Sequence, residues 1–323
     1  MRKNIETMKT WVISANFVSK RNGKGSTDLE KSLRLLGFSD FWIFDHNSMT
    51  GSEGIEENSD GYKLNPMGIF PKVIRTCLRE SPKLANIFSK IVRERQWLLF
   101  LTIPHNLRLF MYRDFLDQID SDHFVFLVDS RDLVFQVDPR LIAKTLAQSD
   151  SVHFFDEGEF YFKTGNSQLL KHSETNLTWI RLLNNHHNDG LTQIGDSTII
   201  NTGCIAGKVG EIRKVLDWSC EKMLASQNYI HEILDQAVIN WGVYSKSFLS
   251  EIANVHRNGA VVLNMCGIIE SKPRYESGTL FLNESKIPIV HQYDRFGTFD
   301  VKNRLTINNL KYVYPTLSSD EQN

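Results

Sequence analysis

Two aspartates follow the most apolar strand-like run of the chain, and this position suits a divalent cation. Residues 124–128 are five consecutive apolar residues, and Asp129 and Asp132 come directly after them. Such a run is typical of a central strand in a parallel sheet, buried on both faces. Ligands of open α/β sheets bind outside the carboxyl ends of these strands. Two carboxylates repel each other there unless a cation lies between them, and Mg²⁺ fits because phosphates can complete its shell.

The D-x-x-D motif of Asp129 and Asp132 can also be interpreted as an ordinary turn, but its surroundings resemble a known family. An isolated D-x-x-D is more often a surface turn, here with a salt bridge to Arg131. However, an apolar strand, an acidic motif, a hydrophobic-aromatic step and then Asp-Pro resemble the metal-binding motif of GT-A-type glycosyltransferases. Those enzymes usually carry D-x-D, so the spacing here leaves open whether Asp129 or Asp132 contacts the metal directly.

The resemblance carries expectations about the fold and the ligands. It implies a GT-A-like, Rossmann-type α/β/α sandwich with a central, mostly parallel sheet. It implies a nucleotide-diphosphate sugar as donor, which we expect to be UDP-linked, and Mn²⁺ or Mg²⁺ as cofactor. Asp129 and Arg131 would then contact the donor, and Asn16, at the end of the first strand, would contact the base and ribose.

Three later segments match the resemblance in the expected order. Asn201 and Gly203 are similar to a segment that lines the donor sugar pocket, because an amide can bind hydroxyls and glycine permits close approach. Asp235 and Gln236 resemble the D-Q-x-x-x-N of glycogenin-like retaining transferases, where the acid and amide lie near the transferred sugar. His291 resembles a late histidine that completes the metal shell, and its imidazole suits Mn²⁺ better than Mg²⁺.

Each of these segments also has a structural interpretation. The Asn-Thr-Gly of residues 201–203 is a common turn. The polar residues of 235–240 suit the outer face of an amphipathic helix. A single histidine such as His291 is more often a structural residue that makes hydrogen bonds within the fold. The pair His186-His187 competes with His291, although it lies in a polar segment without a neighbouring apolar strand.

The stereochemistry of transfer depends on whether a base is present. An inverting enzyme needs a carboxylate that deprotonates the acceptor hydroxyl. Asp156 or Glu157, which follow the apolar run 152–155, or Asp235 could take this role. A retaining enzyme needs no such base, and the likeness of Asp235 and Gln236 to retaining transferases favours retention.

Apolar periodicity predicts the elements that must position these residues. Strands are predicted at 10–18, 41–47, 123–129, 151–158, 198–207, 260–266, 278–283 and 287–294. Helices are predicted at 27–37, 83–118 with a break near Pro104, 139–148, 210–225 and 231–245. The first two strands and the helix between them predict a parallel βαβ unit. Residues 48–70 are predicted to form a long irregular loop.

Length and composition indicate one globular domain. The 323 residues contain no repeat or linker, so we expect a single GT-A-like domain with a nucleotide-binding half at about 10–138, a sugar and acceptor half at about 139–300 and a tail at 301–323. The net charge of −1 argues against a nucleic acid partner. Four scattered cysteines indicate reduced thiols rather than a zinc site.

No apolar run approaches the roughly 20 residues that span a bilayer, and the N-terminus lacks the apolar core of a signal peptide. We therefore expect no integral membrane segment and a cytoplasmic protein, which visits the membrane peripherally if its substrate is membrane-linked.

The sequence thus predicts metal-dependent transfer of a sugar from a nucleotide-diphosphate sugar to a glycan or another hydroxyl acceptor. The cation would neutralise charge on the leaving diphosphate. One alternative is a nucleotidyltransferase that makes a nucleotide sugar, which should carry a basic, glycine-rich loop after the first strand; RNGKG at 21–25 matches this poorly. Another is a non-catalytic carbohydrate-binding protein with a degenerate site, which would bind its ligand without metal.

Overall fold

The computed structural model describes residues 8–16, 27–45, 49–51, 76–78, 80–94, 103–160, 167–184, 194, 197–226, 232–245, 247–267, 271, 273–300, 302 and 304–307. The basic loop at 21–25, residues 52–70 of the predicted long loop, and His186-His187 lie outside these residues.

Strands and helices alternate through the first two thirds of the chain. The strands are β1 (Thr10–Asn16), β2 (Phe41–Asp45), β3 (Met49–Gly51), β4 (Phe124–Asp129), β5 (Leu133–Phe135), β6 (Val152–Phe160), β7 (Thr198–Lys208), β8 (Ala253–His256), β9 (Val262–Asn264), β10 (Arg274–Glu276), β11 (Thr279–Leu282), β12 (Ser285–Lys286), β13 (Ile289–His291), β14 (Gly297–Asp300) and β15 (Arg304–Ile307). The helices are α1 (Asp28–Leu35), α2 (Pro82–Glu94), α3 (Pro104–Leu116), α4 (Pro139–Leu146), α5 (Ser167–Leu183), α6 (Val209–Ser226), α7 (Asp235–Tyr244) and α8 (Phe248–Ile252).

A seven-stranded sheet forms the centre, with strand order β3-β2-β1-β4-β7-β6-β8. β1 pairs in parallel with β2 and β4, and β6 pairs in parallel with β8. β3 and β7 run in the opposite direction to the other strands. The chain leaves β1 toward one edge of the sheet and leaves β4 toward the other, so the strand order reverses between β1 and β4. A crevice at such a reversal is the usual ligand site of an open α/β sheet.

Helices cover both faces of this sheet, which gives three layers. Val125 and Leu127 of β4 pack into one core cluster, to which α3, α5, α6 and α7 contribute side chains. Phe124 and Phe126 of the same strand face the other cluster, with α1 and α4. Because successive side chains of a strand point to opposite faces, an all-apolar strand must be covered on both sides. The predicted α/β fold with a central, mostly parallel sheet is confirmed.

Local sequence signals explain the ends of α1. The Thr27 hydroxyl accepts a hydrogen bond from the Glu30 backbone N–H at 3.2 Å and caps the helix. Gly37 follows the helix with a φ of +68°, a conformation that ordinary side chains rarely adopt. The predicted parallel pairing of the strands on either side of this helix is confirmed.

A small three-stranded sheet lies next to the end of β4. β13 pairs antiparallel with β5 and parallel with β9. The register places His291 between Leu133 on β5 and Asn264 on β9. β5 begins only four residues after β4 ends, so this sheet carries a C-terminal histidine back to the acidic motif.

Several elements differ from the expectations. Met49–Gly51, inside the predicted irregular loop, forms β3, because its backbone pairs with β2 at the edge of the sheet. The central strand β4 has one parallel and one antiparallel neighbour rather than two parallel ones. The elements β5, β8, β10, β12, β14, β15, α5 and α8 were not predicted. β15 lies in the predicted C-terminal tail and buries Leu305 in a third apolar cluster.

The candidate metal centre

Asp129, Asp132 and His291 come together at the carboxyl end of β4. Ligand atoms of the three residues all lie within 4.8 Å of one another. His291 Nε2 is 3.4 Å from Asp129 Oδ2 and 3.5 Å from Asp132 Oδ1. The side chains of Asp129, Asp132 and His291 are 30 %, 11 % and 2 % exposed, respectively. The geometry therefore groups the three predicted metal ligands in a nearly enclosed site with one side open.

Backbone pairing positions the two aspartates. The Ser130 hydroxyl donates to the Ala15 carbonyl at 3.2 Å and ties the turn after β4 to the neighbouring strand β1. The Gln292 N–H donates to the Asp132 carbonyl at 2.7 Å, which links the turn to the residue after His291. The acidic motif and the histidine are thus held by rigid strands, which a metal site requires.

Asn264 fixes the orientation of the imidazole. Its Nδ2 donates to the Asp156 carbonyl at 2.8 Å, so its Oδ1 is the acceptor for His291 Nδ1, also at 2.8 Å. The Nδ1 proton is therefore used in the hydrogen bond to Asn264, and Nε2 faces the two carboxylates. Nε2 is buried and makes no hydrogen bond with the described residues, but it lies within ion-pairing distance of both carboxylates. An imidazole whose other ring nitrogen is held by a hydrogen bond is typical of metal-binding histidines.

Gly203 makes room for the imidazole. A Cβ at this position would lie 2.3 Å from His291 Cε1 and 2.5 Å from His291 Nε2. Because β7 runs antiparallel to β4, its early residues lie beside the end of β4, where Cys204 pairs with Val128. The Asn201 side chain donates to Glu157 Oε1 and accepts from the Gly203 N–H, both at 2.6 Å. The Asn201–Gly203 segment therefore lies against Asp129, Asp132 and His291. The side-chain amide of Asn201 already uses one donor and one acceptor inside the fold.

Arg108 joins the metal centre to α7 and was missed by the sequence reasoning. Its guanidinium pairs with Asp129 through Nη1 and with Asp235 through Nη2, the latter at 2.5 Å. Nη2 also lies 3.1 Å from the Thr202 hydroxyl. Its one signal in the sequence was its position between Leu107 and Leu109 in an apolar helix, which indicates a buried residue. A buried arginine needs carboxylate partners.

The two polar residues at the start of α7 point in different directions. Asp235 is buried and faces Arg108, while Gln236 Nε2 donates to Asn176 on α5 at 2.7 Å. Asn240, one turn later, exchanges two hydrogen bonds of 2.8 Å with the backbone of Ile200 and fixes the helix to β7. Asp235 thus joins the site, whereas Gln236 contacts a neighbouring helix.

The other predicted residues make contacts of their own near the end of β4. Asp156 Oδ1 accepts from the backbone N–H groups of Gly158 and Asn258 at 2.9 and 2.8 Å. Arg131 is 62 % exposed and pairs with Asp132 at 3.6 Å and with Asp294 at 3.3 Å. Asn16 ends β1 one residue after Ala15, the partner of Asp129 in the register, and its side chain lies outside the described residues.

Burial and charge pull the pKa values of these groups in opposite directions. Burial opposes ionisation of Asp129 and Asp132, yet Arg108 and His291 hold the pKa of Asp129 well below its usual value, and His291 lowers that of Asp132. Burial also lowers the pKa of His291, but the two carboxylates outweigh it and raise this pKa to about 9. A proton and a cation therefore compete for the same nitrogen, and metal binding releases a proton.

No protein-family model matches the chain, and no curated protein shows significant sequence similarity to it. None of the helices among the described residues has the length and apolar character needed to cross a membrane. The function must therefore be inferred from the chemistry of the site itself.

Proposed function

We propose that the protein is a metal-dependent glycosyltransferase that uses a nucleotide-diphosphate sugar, with Asp129, Asp132 and His291 as the metal ligands. The observation that carries the proposal is the buried Nε2 of His291, which Asn264 holds so that it faces two carboxylates at 3.4 and 3.5 Å. These three buried groups need either a proton or a metal cation between them, and a divalent cation can bind all three at once.

The charge of the site matches a divalent cation. Asp129, Asp132 and Asp235 carry three negative charges, and Arg108 neutralises one of them. Arg131, which is 62 % exposed, lies 3.6 Å from Asp132, so with a neutral imidazole at least one negative charge of the site stays uncompensated. Two carboxylates and one imidazole form a mixed oxygen and nitrogen donor set, which favours Mn²⁺ over Mg²⁺.

The place of the site in the sheet supports a nucleotide-diphosphate ligand. The triad lies where the strand order reverses between β1 and β4, and the side chain of Asp129 is partly exposed. The reversed strand β7 brings Asn201 and Gly203 to the same edge. This arrangement fits the proposed GT-A-like division, with the nucleotide on the β1 side and the sugar on the β7 side.

The residues of the chain have distinct roles in the proposed reaction. A bound cation would supply Lewis-acid neutralisation of the leaving diphosphate. Arg108 holds Asp129 and Asp235 in fixed orientations, because its guanidinium donates to both. Asp235 Oδ1 also accepts from the Gln236 N–H at 2.8 Å, so both of its oxygens are engaged. Asp235 is therefore held inside the fold and is a poor base for an acceptor hydroxyl, which favours retention.

Metal-dependent binding of UDP tests the proposal. We expect Mn²⁺ to raise the melting temperature of the wild-type protein further in the presence of UDP, because a ligand that binds only the folded state stabilises it. Asp129→Asn and Asp132→Asn should each abolish this gain. Asp150→Asn is the matched control, because Asp150 is 85 % exposed and should leave the gain intact.

Turnover distinguishes the proposed reaction from the two alternatives. We expect UDP to be released from a UDP-sugar in the presence of Mn²⁺ and a glycan acceptor. Release of pyrophosphate from a nucleoside triphosphate and a sugar phosphate would identify a nucleotidyltransferase instead. Metal-independent binding of saccharide, with no nucleotide effect, would identify a carbohydrate-binding protein.

A further inference from the structure

The helix α2 presents an apolar stripe to solvent. Leu84, Ile87 and Ile91 are 49 %, 55 % and 41 % exposed. At about 100° per residue, the three side chains lie within roughly 60° of one another on the helix surface. The other exposed large apolar side chains of the described chain lie singly on three different helices: Leu35, Leu141 and Phe248. Single exposed apolar residues are ordinary, whereas a cluster marks an interaction surface.

The helix is anchored so that this stripe faces outward. Phe88 is partly buried and packs against the large core cluster on one face of the central sheet. On the helix it projects beside Leu84, on the side away from Ile87. The stripe therefore borders the core-facing side of α2 while staying exposed.

Basic residues flank the stripe. Lys83 and Lys90 are exposed and lie next to Ile87, about 40° and 60° further around the helix. The segment 72–95 carries seven lysines and arginines against two glutamates, although the whole chain has a net charge of −1. The segment that contains the apolar stripe thus carries a local excess of five positive charges.

We propose that α2 docks on an anionic membrane surface. A basic helix with an exposed apolar face lies in the lipid interface, where its apolar side chains enter the acyl boundary and its lysines contact acidic headgroups. Its 13 residues extend about 20 Å, which fits a helix lying in the interface and is too short to span it. A second copy of this chain is a poorer occupant of the surface, because it would bring two basic segments together.

Vesicle co-sedimentation of the full-length protein tests this proposal. We expect the wild type to sediment with vesicles that contain about 30 mol % phosphatidylserine in phosphatidylcholine, and to be released by about 0.5 M NaCl. The triple variant Leu84→Gln, Ile87→Gln, Ile91→Gln should lose binding on the order of a hundredfold. Leu141→Gln is the control, because Leu141 is 62 % exposed on α4 and lies outside the stripe.

A second variant tests the charge separately. Replacement of Lys83 and Lys90 by glutamine should weaken binding to the anionic vesicles about fivefold per lysine. This variant still tests the proposal if the triple variant does not fold. The proposal is overturned if the wild type stays in the supernatant, or if either variant binds like the wild type. A dimer in sedimentation velocity that the triple variant abolishes would assign the stripe to a second copy. The assay contains no nucleotide or metal, so its failure leaves the proposed glycosyl transfer intact.

Discussion

Replacement of Gly203 by alanine should displace His291 from the metal centre although none of the proposed metal ligands is itself replaced. The added Cβ would lie 2.3 Å from His291 Cε1 and 2.5 Å from His291 Nε2. Carbon atoms normally approach to about 3.5 Å, so the imidazole must move by about 1 Å. The movement also strains the 2.8 Å hydrogen bond from His291 Nδ1 to Asn264.

The size of the effect follows from this displacement. Overpacking of a close-packed site costs about 1–3 kcal/mol of the free energy of unfolding. Metal ligands must lie within about 0.2 Å of their ideal distance, so a shift of this size removes Nε2 from the ligand set. We expect Mn²⁺ affinity to fall at least about 10–100-fold, as it does when an orienting contact to a ligand is lost.

Calorimetric titration of Mn²⁺ and urea unfolding measure the two effects. Gly207→Ala is a matched control on the same strand, because its Cβ would meet Ile212 and Val152 at ordinary distances of 3.4 and 3.5 Å. Removal of the clashing ring in a Gly203→Ala, His291→Ala double variant should recover most of the stability lost in Gly203→Ala. The two substitutions should therefore be strongly non-additive.

One result would refute this reasoning. If Gly203→Ala binds Mn²⁺ with wild-type affinity while Gly207→Ala does the same, the imidazole is not a ligand. His291 would then be a structural histidine that holds β13 to the end of β4.

Two further predictions concern buried charge and pH. Arg108→Met leaves Asp129 and Asp235 buried without the guanidinium of Arg108. The free energy of unfolding, measured in urea, should therefore fall by about 3–5 kcal/mol. Addition of Asp129→Asn to this variant should restore part of the loss. Burial and the neighbouring His256 lower the pKa of His153 to about 4, so below pH 6.5 the unfolded chain gains a proton that the folded chain excludes. Stability should therefore fall from pH 6.5 toward pH 4 by up to about 1.4 kcal/mol per unit, and His153→Gln should flatten this slope in urea midpoints.

Each of these has an outcome that contradicts it. An Arg108→Met variant as stable as the wild type would show that its carboxylate partners reach solvent. A His153→Gln variant with the wild-type pH slope would assign the acid sensitivity to other groups.

Much of the candidate site is encoded locally. The apolar run before Asp129 determines that β4 is central and covered on both faces, because each of its side chains must leave water. That placement brings the acids to the functional edge of the sheet. The apolar run before His291 predicted its strand, but the choice of this histidine as a ligand rested on the resemblance to GT-A-type glycosyltransferases. The cap at Thr27 and the turn at Gly37 give the boundaries of α1, because capping depends on neighbouring residues alone.

The partners of these residues are not encoded locally. Asn264 carries no local mark of its role, and the apolar neighbours of Arg108 indicate its burial but not its partners. The contacts of these two residues with His291 and Asp235 join residues 27 and 127 positions apart. Similarly, the direction of β7 cannot be read from an apolar run, because parallel and antiparallel central strands have the same composition.

The chain by itself therefore determined the types of the ligands and the strands that end at them. Only the tertiary structure decided which nitrogen of His291 is free, which glycine makes space for its ring, and which arginine balances the carboxylates. The physical reason is that strand formation and capping depend on nearby residues, whereas hydrogen-bond satisfaction and charge balance depend on which distant side chains the sheet register brings within a few ångströms.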